Sequence, residues 1–211
     1  MEIYDDILQT LGNTPLVRLS RYAPGDATVA AKVESFNPGS SVKDRIGIAM
    51  IEQAEREGKL EPGGTIVEPT SGNTGVGLAM ACALKGYRLV CTAAEKIPKE
   101  KVALLEAFGV EVITCPTAVE ADDPRSYYKV AERIRDERGA FLPYQYYNPA
   151  NPQAHYDTTG PEIWRQTDGR ITHWVAGMGT GGTISGVARY LKEQNPKVRV
   201  VGVDAEGSVY E

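Results

Sequence analysis

Histidine and cysteine, two side chains that often bind metals in proteins, are scarce in this chain. Its 211 residues contain two histidines, His155 and His173, and neither lies in a cluster of candidate ligands. The three cysteines, Cys82, Cys91 and Cys115, are odd in number and show no Cys-x-x-Cys spacing. This scarcity argues against a metal site and against a disulfide framework, and it favours buried thiols in a reducing compartment.

The sequence also lacks an excess of basic residues and a long apolar run. The formal net charge is −5, and no basic run offers a track for the phosphates of a nucleic acid. No apolar stretch approaches the length of a membrane span, and the start Met1–Asp6 lacks the basic and apolar regions of a signal peptide. We therefore predict a cytoplasmic protein with neither a nucleic-acid nor a membrane partner.

Apolar strands and helical patterns alternate along most of the chain. Between residues 65 and 139, three predicted strands alternate with three predicted helices, each followed by a glycine. This rhythm predicts an α/β fold with parallel sheets covered by helices. The segment 142–152 is rich in proline and asparagine and is the best candidate for a crossing between domains. Beyond it the patterns predict helices at 158–165 and 183–194 and a strand at 171–176.

One lysine stands at a predicted helix start behind a Pro-Gly-Ser turn, in the segment Asn37–Arg45. A lone lysine there is ordinarily solvated, but Lys43 is also well placed to bind a carbonyl cofactor covalently. An amine becomes nucleophilic when its pKa falls through desolvation or neighbouring positive charge, and both Arg45 and the helix N-terminus act in that direction. Asp44 opposes them unless its carboxylate turns away to cap the helix or to pair with Arg45.

Two further segments join a predicted strand to a predicted helix start. In Thr70–Gly75, hydroxyls and N–H groups can surround a carboxylate and Asn73 can donate to a phenolate oxygen. N-capping by Ser71 or Asn73 is the structural alternative. In Gly177–Thr183, glycines let backbone N–H groups approach an anion at the positive end of a helix. This loop is not a P-loop, since no Gly-Lys-Ser/Thr follows.

Gln145 lies in an aromatic-rich loop among tyrosines. Its carboxamide could contact a substrate carboxylate or satisfy the loop backbone, and the sequence does not favour either. We interpret His155 and Tyr156 as packing and hydrogen-bonding residues, and His173 as a core or edge histidine.

Taken together, three motifs resemble those of the fold-type II pyridoxal-phosphate enzymes of the cysteine synthase and cystathionine β-synthase family. They are Pro38–Arg45, Glu68–Gly75 and Gly179–Thr183, in the family's order and spacing, and the similarity runs from Leu11 to the final residues. The resemblance implies two α/β domains with parallel sheets flanked by helices.

The resemblance also implies how the domains divide the chain. The smaller domain would be 39–146, carrying the lysine and a substrate loop. The larger would be 1–38 plus 147–211, carrying a phosphate loop. Because members of the family continue past the point that corresponds to residue 211, we expect the sequence to be a shortened piece with the second domain incomplete.

The resemblance assigns roles to particular residues. Lys43 would be the catalytic residue and form the Schiff base with pyridoxal 5′-phosphate, and Asn73 would bond its phenolate oxygen. The cofactor phosphate would be held by Gly179, Thr180, Gly181, Gly182 and Thr183. The substrate carboxylate would be held by Thr70, Ser71, Gly72, Thr74 and Gln145.

The implied reaction is β-replacement, in which Lys43 removes the Cα proton, the β-leaving group departs and a thiol adds. The segment Asp204–Tyr210 looks closer to the cystathionine β-synthase branch, so L-serine and L-homocysteine giving cystathionine is the expected reaction. Cysteine synthase, acting on O-acetyl-L-serine and sulfide, is the alternative within the family. A serine or threonine dehydratase and a non-catalytic binding module are further alternatives. A homodimer is implied by the family alone.

Overall fold

The computed structural model describes residues 3–23 and 25–208. The strands are β1 (Leu16–Arg18), β2 (Ala30–Lys32), β3 (Thr65–Pro69), β4 (Arg88–Ala94), β5 (Glu111–Cys115), β6 (His173–Gly177) and β7 (Arg199–Val203). The helices are α1 (Lys43–Arg56), α2 (Asn73–Lys85), α3 (Lys99–Ala107), α4 (Tyr127–Arg138), α5 (Ala150–Ala154), α6 (Gly160–Gln166) and α7 (Gly182–Gln194). A π-helical turn, His155–Thr159, joins α5 to α6. The predicted α/β class is confirmed.

The chain divides into two compact units. The first comprises Met1–Leu11 and Asn37–Tyr144, and the second comprises Gly12–Phe36 and Gln145–Glu211. The assignment of substrate and phosphate roles to separate domains stays a prediction.

The first unit is built on a parallel sheet of three strands in the order β3-β4-β5. Its strands are apolar because helices cover them, as parallel sheets require. Helix α4 packs on β3 and β4, α2 contacts β4, and α3 contacts β5. The core between α4 and the sheet consists of Val67, Val90, Cys115, Val130, Ala131, Ile134 and Ala140.

Helices α1 and α2 of the first unit pack closely enough for their backbones to touch. A β-carbon on Gly47 would stand 2.8 Å from the carbonyl oxygen of Gly77, closer than real β-carbons approach. Glycine at both positions therefore allows the start of α2 to lie against the start of α1.

The second unit contains an antiparallel pair, β1-β2, and a parallel pair, β6-β7. Its buried core is made by α6, α7 and the approach to β7, through Ile163, Val187, Leu191 and Val198. A buried ion pair links the hairpin to α6, because Lys32 Nζ lies 2.6 Å from Glu162 Oε2 with side chains 5% and 8% exposed. Glu162 also accepts a hydrogen bond from the backbone N–H of Asn13.

The structure departs from the predicted elements around residue 150. The segment 142–152 is not loop throughout, because α5 begins at Ala150. Asn148 accepts a hydrogen bond from the backbone N–H of Ala150 at 2.9 Å, and Pro149 has a helical φ of −64°. An asparagine followed by a proline can start a helix as well as interrupt one, and here they start it.

Candidate functional site

Lys43 is the first residue of α1 and is half-buried. Burial lowers the pKa of its ammonium below the ordinary lysine value, because desolvation disfavours the charged form. Its backbone N–H donates to Ser41 Oγ at 3.1 Å, which stabilises the helix start. The side chain is therefore an amine that loses its proton more readily than a surface lysine does.

The carboxylate of Asp44 turns back into the preceding turn. Its Oδ2 accepts a hydrogen bond from the backbone N–H of Gly39 at 2.7 Å, and Asp44 is buried. A β-carbon on Gly39 would stand 2.5 Å from Asp44 Oδ1 and 2.8 Å from Met80 Cε. The structure thus shows Asp44 holding the turn that precedes Lys43, a role that the sequence did not indicate.

The start of α2 is formed by the Thr70–Gly75 segment. Its N-cap is Gly72, and no side chain caps the helix, so the structural alternative, N-capping by Ser71 or Asn73, is wrong. Thr70 instead accepts a hydrogen bond from the N–H of Gly72 at 3.2 Å. The N–H groups of a first helical turn have no partner within the helix, and the dipole there favours an anion. The donor set fits a carboxylate.

Asn73 has a partner that the sequence did not indicate. Its Oδ1 accepts a hydrogen bond from Lys101 Nζ at 2.9 Å, and Lys101 belongs to α3. Because an ammonium can only donate, this contact identifies the oxygen side of the carboxamide and leaves the Nδ2 group as a donor. Donation to an anionic oxygen, as predicted for Asn73, is compatible with this orientation.

In the second unit, the glycine loop leads into α7. Gly181 is the N-cap, with a φ of +78° that glycine adopts without strain, and no side chain caps this helix. β-Carbons placed on Gly179 or Gly181 would meet nothing within 4 Å. Backbone N–H groups with two threonine hydroxyls beside open space form a donor set that fits a phosphate, whose ionised oxygens only accept.

Asn151, on α5, lies behind this loop. Its Nδ2 donates to the hydroxyl of Thr180 at 2.9 Å and to the backbone carbonyl of Gln145 at 2.9 Å. Asn151 is buried, and Gly182 packs against its carboxamide so closely that a side chain would clash. One buried side chain thereby holds Thr180 and the Gln145 backbone together. Gln145 itself is buried, and the role of its carboxamide stays a prediction.

His155 is fully buried, in agreement with its interpretation as a hydrogen-bonding residue. Its Nδ1 lies 2.9 Å from Thr159 Oγ1, and its Nε2 lies 3.0 Å from Thr183 Oγ1. His173, by contrast, is an exposed residue of β6 whose Nδ1 lies 2.9 Å from Thr172 Oγ1. The two histidines therefore occupy opposite environments.

The three cysteines are buried and free of disulfides, as predicted. Desolvation raises the pKa of the Cys82 thiol to about 12 and raises that of Cys91 further. Desolvation also raises the pKa of Cys115, so these thiols are held in their unreactive form.

Within residues 3–23 and 25–208, no group of three or more histidine, cysteine, aspartate or glutamate side chains is placed to hold a metal ion. Over the same part of the chain, no helix combines the length and apolar character that crossing a membrane requires.

The structure brings the predicted residues together within each unit. Lys43 and the Thr70–Gly75 segment belong to the first unit, where α1 packs on α2. Gln145 and the Gly179–Thr183 loop belong to the second, joined by Asn151. Sequence reasoning missed Lys101 and Asn151, because a hydrogen bond between distant segments leaves no periodic signal.

Comparison with known proteins connects the motifs to a family. A family model for pyridoxal-phosphate dependent enzymes matches residues 7–210. Cystathionine beta-synthase of Rattus norvegicus is 50% identical over 212 residues, covering 99% of this chain and 38% of the rat protein. Cysteine synthase of Staphylococcus aureus strain N315 is 48% identical over 206 residues, covering 97% of this chain and 66% of that protein.

A solved structure agrees with these sequence relatives. The crystal structure of O-ureido-L-serine synthase is similar with a TM-score of 0.93 and 41% identity, over 99% of this chain and 65% of that chain. The predicted resemblance and fold-type II architecture are confirmed. The chain spans 38% of the length of the mammalian relative.

Proposed function

Because the chain belongs to the family of pyridoxal-phosphate dependent enzymes, we propose that it replaces the β-substituent of a serine-type amino acid with a thiol. The proposed substrates are L-serine and L-homocysteine, and the proposed product is cystathionine. The 50% identity to a cystathionine beta-synthase supports this reaction.

The observation that carries the proposal is the state of Lys43. A half-buried lysine at a helix start, with its pKa lowered by desolvation, can act both as a nucleophile toward a carbonyl and as a base. When bound, pyridoxal 5′-phosphate would supply an electron sink for the negative charge that develops at the substrate Cα. Lys43 would move the proton at that carbon, in both directions.

The other residues bind and orient. We assign the substrate carboxylate to the start of α2, through Thr70, Ser71, Gly72 and Thr74. A substrate-binding role for the carboxamide of Gln145 stays a prediction. Asn73 would donate its Nδ2 hydrogen to the cofactor phenolate, which agrees with the acceptor role of its Oδ1 toward Lys101. The cofactor phosphate is assigned to the loop Gly179–Thr183, whose donors suit it.

Cysteine synthase activity, with O-acetyl-L-serine and sulfide, is a second candidate. The 48% identity to a cysteine synthase over 97% of this chain supports it almost equally. Both reactions need the same acid–base work from Lys43 and differ in the leaving group and the thiol. We also propose that the chain forms a homodimer, as the family resemblance implies.

The test is a product assay on the purified chain with pyridoxal 5′-phosphate, comparing wild type with Lys43→Ala and with a control, Lys99→Ala. Cystathionine from L-serine and L-homocysteine, lost only in Lys43→Ala, is the expected result. Cysteine formed from O-acetyl-L-serine and sulfide alone would select the second candidate. A 2-oxoacid released without thiol would indicate a dehydratase.

A fourth outcome would contradict catalysis itself. If the folded chain gives no product and no cofactor absorbance that depends on Lys43, it is a non-catalytic module. Sedimentation velocity on the same sample tests the homodimer.

A further inference from the structure

We propose that His155 is a positioning residue that fixes the Thr183 hydroxyl as a hydrogen-bond donor toward the phosphate of the cofactor. The inference rests on the proposed function of the Gly179–Thr183 loop. It adds a residue from outside that loop, and it states which atoms carry the hydrogens in a hydrogen-bond chain of three side chains.

The hydrogen bonds link Thr159 to His155 and His155 to Thr183, and all three residues lie within the second unit. Thr159 Oγ1 is 2.9 Å from His155 Nδ1, and His155 Nε2 is 3.0 Å from Thr183 Oγ1. His155 and Thr159 are both buried, at 0% and 1% exposure. Both ring nitrogens are therefore bonded to hydroxyls inside the protein.

The direction of these bonds follows from counting hydrogens. Burial favours the neutral imidazole, which has one N–H donor and one acceptor nitrogen. A hydroxyl has one hydrogen, so Thr183 can donate it to the ring or to a phosphate, but not to both. An ionised phosphate offers only acceptors, so the loop gains a further donor only when His155 Nε2 carries the ring hydrogen. His155 Nδ1 then accepts from Thr159.

The other threonine of the loop, Thr180, also accepts a hydrogen bond from a buried side chain. Thr180 Oγ1 accepts from Asn151 Nδ2, an amide group that can only donate. Asn151 and His155 are four residues apart on one helical segment, so their side chains lie on the same face. Each thus donates to a loop threonine from behind and leaves that hydroxyl hydrogen available to a ligand.

The backbone of α7 packs directly against His155. A β-carbon on Gly186 would stand 2.9 Å from His155 Cβ, so only glycine allows α7 to approach. His155 opens the π-helical turn that ends at Thr159, and such turns are frequent at functional sites. In this turn Thr159, four residues after His155, bonds its ring.

The ring hydrogen can be located directly, because the chain has two histidines. Two-dimensional ¹H–¹⁵N spectra of the chain labelled at histidine distinguish the tautomers, and His173→Asn assigns the signals. The expected result is a hydrogen on Nε2 of His155, whose signal shifts when inorganic phosphate is added. A hydrogen on Nδ1 would oblige Thr183 to donate to the ring and would overturn the inference.

Two isosteric variants test the consequence for binding. Thr159→Val removes the hydroxyl that donates to His155 Nδ1, on the side of the imidazole that faces away from the loop. We expect it to weaken pyridoxal 5′-phosphate binding about three- to tenfold, the effect of one hydrogen bond. Thr167→Val is the matched control, because the Thr167 hydroxyl donates to the carbonyl of Ile163 within α6 and its capping turn. It should leave cofactor affinity unchanged.

The outcomes separate this inference from the proposed function. Equal cofactor affinities for wild type and Thr159→Val, both folded, would overturn the role of His155 and leave the proposed function standing. Failure of the folded wild-type chain to bind either pyridoxal 5′-phosphate or inorganic phosphate would overturn both. Weaker binding by Thr159→Val, with the variant still folded and a hydrogen on His155 Nε2 in the wild type, is the result that establishes the inference.

Discussion

The carbonyl oxygen of Lys43 lies 2.7 Å from the point at which a β-carbon on Gly77 would stand. The first turn of α1 therefore rests on the backbone of α2, without side chains between them. The position of Lys43 depends on this contact, because no side chain there could adjust to make room.

Gly77→Ala should accordingly be among the most damaging single methyl additions in the first unit. The new methyl meets backbone atoms of Lys43 and Asp44, and we expect a loss of about 3 kcal/mol in the free energy of unfolding. Denaturant titration measures it. Gly109→Ala is the comparison, since its methyl meets nothing within 4 Å and its positive φ costs about 1–2 kcal/mol. Equal losses would contradict backbone packing as the cause.

Lys43 should lower the stability of the unliganded chain at neutral pH. Its pKa in the folded state lies below the ordinary value of 10.5, so the unfolded state binds more protons between those two values and stability rises with pH across that window. Lys43→Met should therefore have the higher melting temperature at pH 7, with the difference shrinking as the pH approaches 10.5.

Differential scanning calorimetry at several pH values checks this prediction. Lys99→Met, which removes an exposed lysine at the start of α3, is the control and should follow wild type. A difference for Lys43→Met that does not change with pH would show that packing rather than charge burial is responsible.

Lys32 and Glu162 form an ion pair that is almost removed from solvent. Lys32→Met removes the Lys32 ammonium from the buried Glu162 carboxylate, and we expect it to cost about 3–5 kcal/mol of unfolding free energy. Replacing both residues, as in Lys32→Met with Glu162→Met, should recover part of that loss, because the buried carboxylate is then removed as well. A double variant less stable than Lys32→Met would contradict this account.

Lys101 should influence cofactor binding without affecting the fold. Its contact with Asn73 is exposed, so losing it in Lys101→Met should cost at most about 1 kcal/mol and leave the melting temperature nearly unchanged. If Lys101 orients the Asn73 carboxamide, cofactor affinity should fall by up to about fivefold. Titration of pyridoxal 5′-phosphate measures the change, with Lys96→Met as the control. Unaltered affinity would show that Asn73 is oriented without Lys101.

Turn and glycine residues in the sequence predicted where several helices begin and end. The turn ahead of Lys43 predicted the start of α1, and the glycines after helical patterns predicted where α2 and α4 end, at Gly86 and Gly139 in the left-handed conformation. The start of β6 was predicted two residues early. Its ladder begins at the His173–Arg199 pair, because strand ends are set by the partner strand, not by apolar character alone.

The site was predicted less completely, because hydrogen bonds between distant segments leave no trace in periodicity. His155 and Thr183 are 28 residues apart in the chain, and so are Asn73 and Lys101. Asn151 lay in a stretch whose prolines and asparagines indicated a loop. Only the fold shows that this stretch begins the helix behind the glycine loop.

The π-helical turn at His155–Thr159 sets how this region can change in length. Each α-helical residue rotates the chain about the helix axis by about 100°, so deleting a residue inside the turn would rotate everything beyond it relative to Asn151. A surface loop absorbs such a deletion, whereas here the Thr159 end would swing away from the imidazole. The segment should therefore accept changes of side chain far more readily than changes in residue number.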